Sequence, residues 1–266
     1  MRQEPPGRIN EDSVGHLQIS TGLGSSLGAY WPWILYQNGA GVLHHVRNKL
    51  SGDTFRPSTE WANVEIDSIR PQMSSRLAVV PTATDFGTIA IQPGHAVFYQ
   101  DRDSKKLAVS ITDLDSPDGP NRSSNFSQPW PTTLPDITLP EQASIVAFSV
   151  ARHGDTTDRR VDTYVLHLDA NGHVNVVYTD SRSSASHVTT WKTAVPAALK
   201  GADKDTDIAC LTMGSSPYNA AGEDVPLEEA KDEMRCFFQR GGKVVEVRLD
   251  AGKGDWIAVG DVPIPS

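Results

Sequence analysis

Several groups of side chains in this sequence have types and spacings that invite a chemical reading. His44 and His45 could hold a metal ion or move a proton, but neighbouring residues of a strand point to opposite faces, so the two imidazoles cannot close on one ion. Gly22-Leu23-Gly24-Ser25-Ser26-Leu27-Gly28 has the look of a dinucleotide glycine loop. It runs into Ala29-Tyr30-Trp31-Pro32-Trp33 rather than a helix whose N-terminus could hold a pyrophosphate, so it reads as a flexible loop. Asp169-Ala170-Asn171-Gly172 lacks the spaced carboxylates and final Glu of a calcium loop and reads as a hairpin turn. Cys210 and Cys236 are too few for a disulfide framework and lack metal-ligand spacing, so they read as buried free thiols. No Gly-x-Ser-x-Gly elbow, His-Glu-x-x-His helix or Cys/His cluster is present, and the expectation is no metal and no cofactor. Reactions governed by orientation leave no such motif, so an enzyme is not excluded on this ground.

Composition narrows the partners. A net charge of -9 with no compensating Lys/Arg run argues against nucleic acid. No apolar stretch reaches the roughly 18 residues of a membrane span, so no membrane association is expected. Met1-Arg2-Gln3-Glu4-Pro5-Pro6-Gly7 lacks the apolar core of a signal peptide, which makes a cytoplasmic protein the expectation. Two sequons, at Asn121 and Asn125, would matter only after secretion. With 21 Gly and 18 Pro in 266 residues, many turns and few long helices are expected.

The elements that would position any site come from an internal repeat. Trp33-Ile34-Leu35-Tyr36-Gln37, Ala96-Val97-Phe98-Tyr99-Gln100, Tyr164-Val165-Leu166-His167-Leu168 and Arg235-Cys236-Phe237-Phe238-Gln239 are β-branched or aromatic runs. Each stops at a turn rich in Asn, Asp or Gly, and a return strand follows at Val42–Val46, Leu107–Ile111, Val174–Tyr178 and Val244–Arg248. A Trp closes each unit at intervals of about 65 residues: Trp61, Trp130, Trp191 and Trp256. Further apolar strands are expected at Leu77–Val80, Ile145–Phe148 and Ile208–Leu211, with a fourth at Leu17–Ser20. The reading is all-β: a β-propeller of four degenerate four-stranded blades, closing as four or five, over residues 15–266 after an N-terminal extension of residues 1–14. The loops Thr21–Tyr30, Thr82–His95, Ala151–Asp162 and Met213–Met234 would emerge on one face, the last with a short helix near Pro226–Glu233. The tryptophans read as inter-blade packing.

The order apolar-aromatic-aromatic-Gln, turn, Val-x-Glu, Trp resembles the blade of the fungal fucose-specific lectins. That resemblance implies a propeller, a small-molecule or glycan ligand held between blades, and a homodimer. It also implies an Arg four residues before the Gln and a Glu on the return strand that hydrogen-bond the sugar. In the fourth repeat these positions hold Arg235 and Glu246, with Trp256 as the aromatic of the ligand site. The other repeats hold Trp33, Ala96 and Tyr164 at the Arg position and His44, Val109 and Val176 at the Glu position. The function implied is carbohydrate binding. The alternative is a lectin-fold enzyme of fungal natural-product biosynthesis, a cyclase or pericyclase such as a hetero-Diels-Alderase, working without a cofactor in an aromatic pocket built from Trp33, His44 and Tyr164.

Overall fold

The structure is a computed structural model that describes residues 21, 25–30, 33–48, 61–66, 69–82, 95–112, 133–151, 161–179, 190–211, 234–250 and 254–263. These fold into four antiparallel sheets, each contiguous in sequence. Blade 1 comprises β1 (Leu27–Tyr30), β2 (Trp33–Gln37), β3 (Leu43–Asn48) and β4 (Trp61–Ile66). Blade 2 comprises β5 (Ala78–Pro81), β6 (His95–Gln100) and β7 (Leu107–Thr112). Blade 3 comprises β8 (Ile145–Ala151), β9 (Val161–Leu168), β10 (Val174–Thr179) and β11 (Trp191–Ala194). Blade 4 comprises β12 (Ala209–Leu211), β13 (Met234–Arg240), β14 (Lys243–Asp250) and β15 (Asp255–Asp261). The first strands β1, β5, β8 and β12 lie next to one another in that order, as the inner strands of a propeller do. The outer strand expected at Trp130, the strand at Leu17–Ser20, residues 1–20, the sequons, the Pro226–Glu233 helix and most of the long loops lie outside the described residues.

Hairpin chemistry explains why the chain turns where it does. In the first three blades a side-chain carbonyl or carboxylate replaces a backbone acceptor in the loop. Asn38 Oδ1 accepts from the amides of Ala40 and Val42, Asp101 Oδ1 from Asp103 and Ser104, and Asp169 Oδ1 from Asn171 and His173. Burial alone would raise the Asp169 carboxyl, but the His173 amide, the Asn175 side chain and the Asn171 amide outweigh it and hold the group below the usual carboxylate range. Blade 4 instead turns through Gly241 and Gly242, at φ 58° and 74°, where only glycine is unstrained.

Each blade has a forward face, toward the next blade in sequence, and a rear face toward the previous one. The joint between blades 1 and 2 buries Leu35, Leu43 and Ile66 against Leu77, Val97 and Tyr99. The next buries Ala96, Phe98 and Leu107 against Ile145, Val165 and Val177. The third buries Tyr164, Leu166, Leu168, Val174 and Val176 against Met234, Phe238, Val245, Val247 and Leu249. Strands with a neighbour on both sides are therefore buried along their whole length, as β6 and β9 are. Side-chain amides add ties across two joints. Gln37 Nε2 donates to the carbonyl of Pro71, and Gln100 Nε2 to those of Leu139 and Pro140. Among the described residues no core joins blade 4 to blade 1.

Three expectations are corrected. The inner strand of blade 1 is Leu27–Tyr30, inside the segment expected to be loop, and Gly28 is a strand residue rather than part of a flexible glycine loop. A Cβ on Gly28 would stand 2.7 Å from Val79 Cγ2 and 3.0 Å from the Leu77 carbonyl, so glycine is there because blades 1 and 2 approach closely. Cys210 and Cys236 are not free thiols. They face each other across β12 and β13 with Cα atoms 4.1 Å apart and form a disulfide. Finally, the loop of blade 1 holds one more residue than a Val-x-Glu alignment allows. Gln37 pairs with Leu43 as Gln239 pairs with Val244, so His45, not His44, matches Glu246.

Candidate functional site

Arg235 and Glu246 come together on the forward face of blade 4. Arg235 lies on β13 opposite Arg248, and Phe237, two residues on, lies opposite Glu246 on β14. The Arg235 guanidinium donates through Nη1 to Glu246 Oε1, with side-chain exposures of 45% and 18%. A register shift between Glu246 and Val247, where β15 carries Val259 as an extra residue, twists the sheet locally beside the carboxylate. The fork of guanidinium donors and the free lone pairs of the carboxylate can bind vicinal hydroxyls by charge-assisted hydrogen bonds. The partly exposed Phe237 ring offers an apolar surface beside them.

Trp256 is not part of this arrangement. It pairs with Leu249 on the rear face and meets Phe148 of blade 3 edge-on, with ring centroids 6.5 Å apart. Trp191 does the same one joint earlier, 5.9 Å from Phe98 in a T-shaped contact. Trp61, Trp191 and Trp256 pair with Asn48, Thr179 and Leu249, which are one register position in three blades. All three are rear-face residues, and Trp191 and Trp256 cover the preceding blade, as the packing reading expected for them.

Where they are described, the equivalents of the Arg–Glu pair elsewhere are buried or partly buried in joints. Ala96 lies opposite Ile111 and Phe98 opposite Val109 in blade 2; Tyr164 lies opposite Tyr178 and Leu166 opposite Val176 in blade 3. In blade 1, His45 occupies the Glu position and stacks on His95 across the joint, centroids 5.2 Å apart. Burial pushes the His95 imidazole down to about 4, and burial does the same to His167, against the pull of Asp169.

The residues of the alternative aromatic pocket are dispersed. His44 lies on the rear face of blade 1, stacked on Tyr36 and held between two amides. Asn38 Nδ2 donates to its Nε2, its Nδ1 donates to Asn63 Oδ1, and Asn63 Nδ2 donates to the Tyr36 hydroxyl. Tyr164 is buried in the joint between blades 3 and 4, stacked between Phe148 and Tyr178. Trp33 sits in β2 between Tyr30 and Arg47, and its side chain lies outside the described residues. His44 and Tyr164 lie in different blades, on the rear face of blade 1 and in the joint between blades 3 and 4. A cavity of about 660 Å³ does open where the turns entering blades 2, 3 and 4 converge. Ser74, Arg76, Glu141, Ser144, Asp169 and Asp207 are among the polar residues lining it, and no aromatic ring is. Arg76 Nη2 spans it to both Asp207 oxygens at 2.8 Å.

Sequence reasoning missed the residues that shape these turns. Ser74, Gln142 and Asp205 all have positive φ, at 64°, 57° and 65°, and each precedes an inner strand by a few residues. The hydroxyls of Ser75 and Thr206 then accept from the Gln100 and Gln239 amides. The signal was a short polar turn repeated before Leu77, Ile145 and Ile208, too plain in composition to stand out.

Against solved structures the fold has clear counterparts. AofleA from Arthrobotrys oligospora is 14% identical with a TM-score of 0.59, over 92% of this chain and 60% of that one. A variant of AofleA with three arginines changed to alanine gives 0.60 over the same shares. The Aleuria aurantia lectin, solved with alpha-methyl-L-fucoside, gives 0.54 at 14% identity, over 92% of this chain and 63% of that one. The fold is that of the fungal fucose lectins. This lectin-like propeller spans about 60% of the length of those chains. No protein-family model and no curated protein matches the sequence.

Proposed function

We propose that this lectin-like propeller binds a carbohydrate through Arg235 and Glu246. The observation that carries this reading is the contrast between blade 4 and its siblings. Its donor–acceptor pair is reachable from solvent on a sheet face that is an apolar joint in the other blades. The lectin fold supports a glycan ligand, and a fucoside is the first sugar to try because one structural neighbour was solved with one. With one such clamp among the described residues, weak binding is expected. The Cys210–Cys236 disulfide supports an oxidising compartment over the cytoplasm expected from sequence.

Calorimetry with alpha-methyl-L-fucoside, alongside a glycan array, tests the reading. Saturable binding that Arg235→Ala abolishes, with the melting temperature unchanged, is expected. Absence of binding to every glycan at millimolar concentration would refute it.

A further inference from the structure

Ser26, Arg76, Ser144 and Asp207 occupy one repeat position, immediately ahead of Leu27, Leu77, Ile145 and Ile208, where the inner strands begin. In blades 1 and 3 the residue there fastens a joint. Ser26 Oγ accepts from the Leu77 amide, and Ser144 Oγ from the Ile208 amide. In blades 2 and 4 the same position is charged, and Arg76 and Asp207 meet past blade 3, across the cavity of about 660 Å³. Arg76 spends Nη2 alone on the two carboxylate oxygens, which leaves Nη1 and Nε without a described partner. The two side chains are 47% and 67% exposed, so the pair adds little to stability. Folding therefore does not account for a donor fork and a carboxylate set facing each other over a void.

We propose that this cavity is a second binding site and that its ligand is a neutral oligosaccharide, a disaccharide or longer. Size and polarity select that class. The cavity falls within the roughly 300–1,000 Å³ of small-molecule sites, so a single ion or sugar ring would leave much of it to water. No group of acidic or imidazole side chains among the described residues could hold a metal ion. The walls are polar and carry no aromatic ring, so an apolar ligand would leave buried donors and acceptors unpaired. Charge decides among the ligands that remain. Of the carboxylates lining the cavity, Asp169 is spent on the amides of Asn171 and His173 and on the Asn175 side chain, and Asp207 on Arg76. Exposed Glu141 and Asp205 are left, facing exposed Lys204 and the unspent donors of Arg76. An anion would meet the first two and a cation the others, whereas a hydroxyl donates and accepts at one atom and suits such a mixture. The cavity stands at the hairpin end of blade 4, where Asp203 accepts from the amides of Gly241 and Gly242. Arg235 lies near the opposite end of β13. The two sites share no residue, so neither depends on the other.

Calorimetric titration with sucrose, trehalose, maltose and maltotriose tests the site. The protein carries Arg235→Ala, which disables the pair on the sheet face and keeps the two readings apart. At least one of the four sugars is expected to bind saturably. Adding Arg76→Ala or Asp207→Ala should weaken that binding by about 10-fold or more, because each removes a charged partner of the sugar hydroxyls. Both positions are exposed, so the melting temperature should barely move. Failure of all four sugars to bind, or binding that both substitutions leave unchanged, overturns the proposal. Tighter binding of a glucosamine dimer than of any neutral sugar overturns the ligand class. Loss of the fucoside reading at Arg235 and Glu246 would leave these outcomes untouched.

Discussion

Strands β9 and β13 occupy the same place in consecutive blades, yet every residue of β9 is buried whereas β13 alternates between buried and exposed. The difference is one of neighbours. Blade 3 is packed on both faces, so positions 164, 166 and 168 hold Tyr, Leu and Leu; among the described residues blade 4 is packed on its rear face, and positions 235, 237 and 239 hold Arg, Phe and Gln. Charge sits in this repeat where no described sheet covers it, because an ion left in a joint would lose its hydration. The sheet that carries the candidate site is therefore the sheet whose forward face is in no described joint.

The largest test of this contrast is acid. His95 and His167 belong to joints 1/2 and 2/3, and their imidazoles resist protonation until about pH 4, against 6.5 in a free side chain. Stability is complete above pH 6.5 and is lost as pH falls toward 4, because the unfolded chain takes up the protons first; two such groups cost roughly 6 kcal/mol together. Denaturant melts from pH 7 to 4 should show that slope, and His167→Phe should remove about half of it. Next in size, Leu166→Ala should cost about 3 kcal/mol, and Phe237→Ala at the matching position of blade 4 less than half as much; equal losses would dissolve the distinction between the two faces. Arg235→Ala should change stability by no more than about 0.5 kcal/mol in thermal melts while removing ligand binding. Smallest of all, Arg76→Ala breaks an exposed ion pair between blades 2 and 4 and should cost under about 1 kcal/mol, less still in high salt.

How much of this was legible in the sequence depended on whether the signal was local. The hairpins were legible, because Asn38, Asp101, Asp169 and Gly241-Gly242 declare turns within a few residues of the strands they join. The meeting of Arg235 with Glu246 followed from the same short register. The inner strands were harder. Leu27–Tyr30 contains a glycine demanded by Val79 and Leu77 of another blade, a requirement that looks like loop composition until the neighbour is known. The disulfide depended on β12, a three-residue strand whose register against β13 nothing local sets. His44 was put in the wrong place by a single residue of loop, and in a strand one residue exchanges the two faces. The same sensitivity separated Trp256 from the site expected to include it.

The glutamine ties have a bearing on how such a chain can change. Besides the carbonyls of Gly41 and Lys105 in their own turns, Gln37 and Gln100 meet main-chain carbonyls of the following segment, and those are present whatever side chains the segment carries. A joint fastened in this way imposes little on its neighbour's identity, so mutation can run through the approach segments without undoing the ring of blades. A propeller retained at 14% identity to AofleA is what such permissive fastening allows.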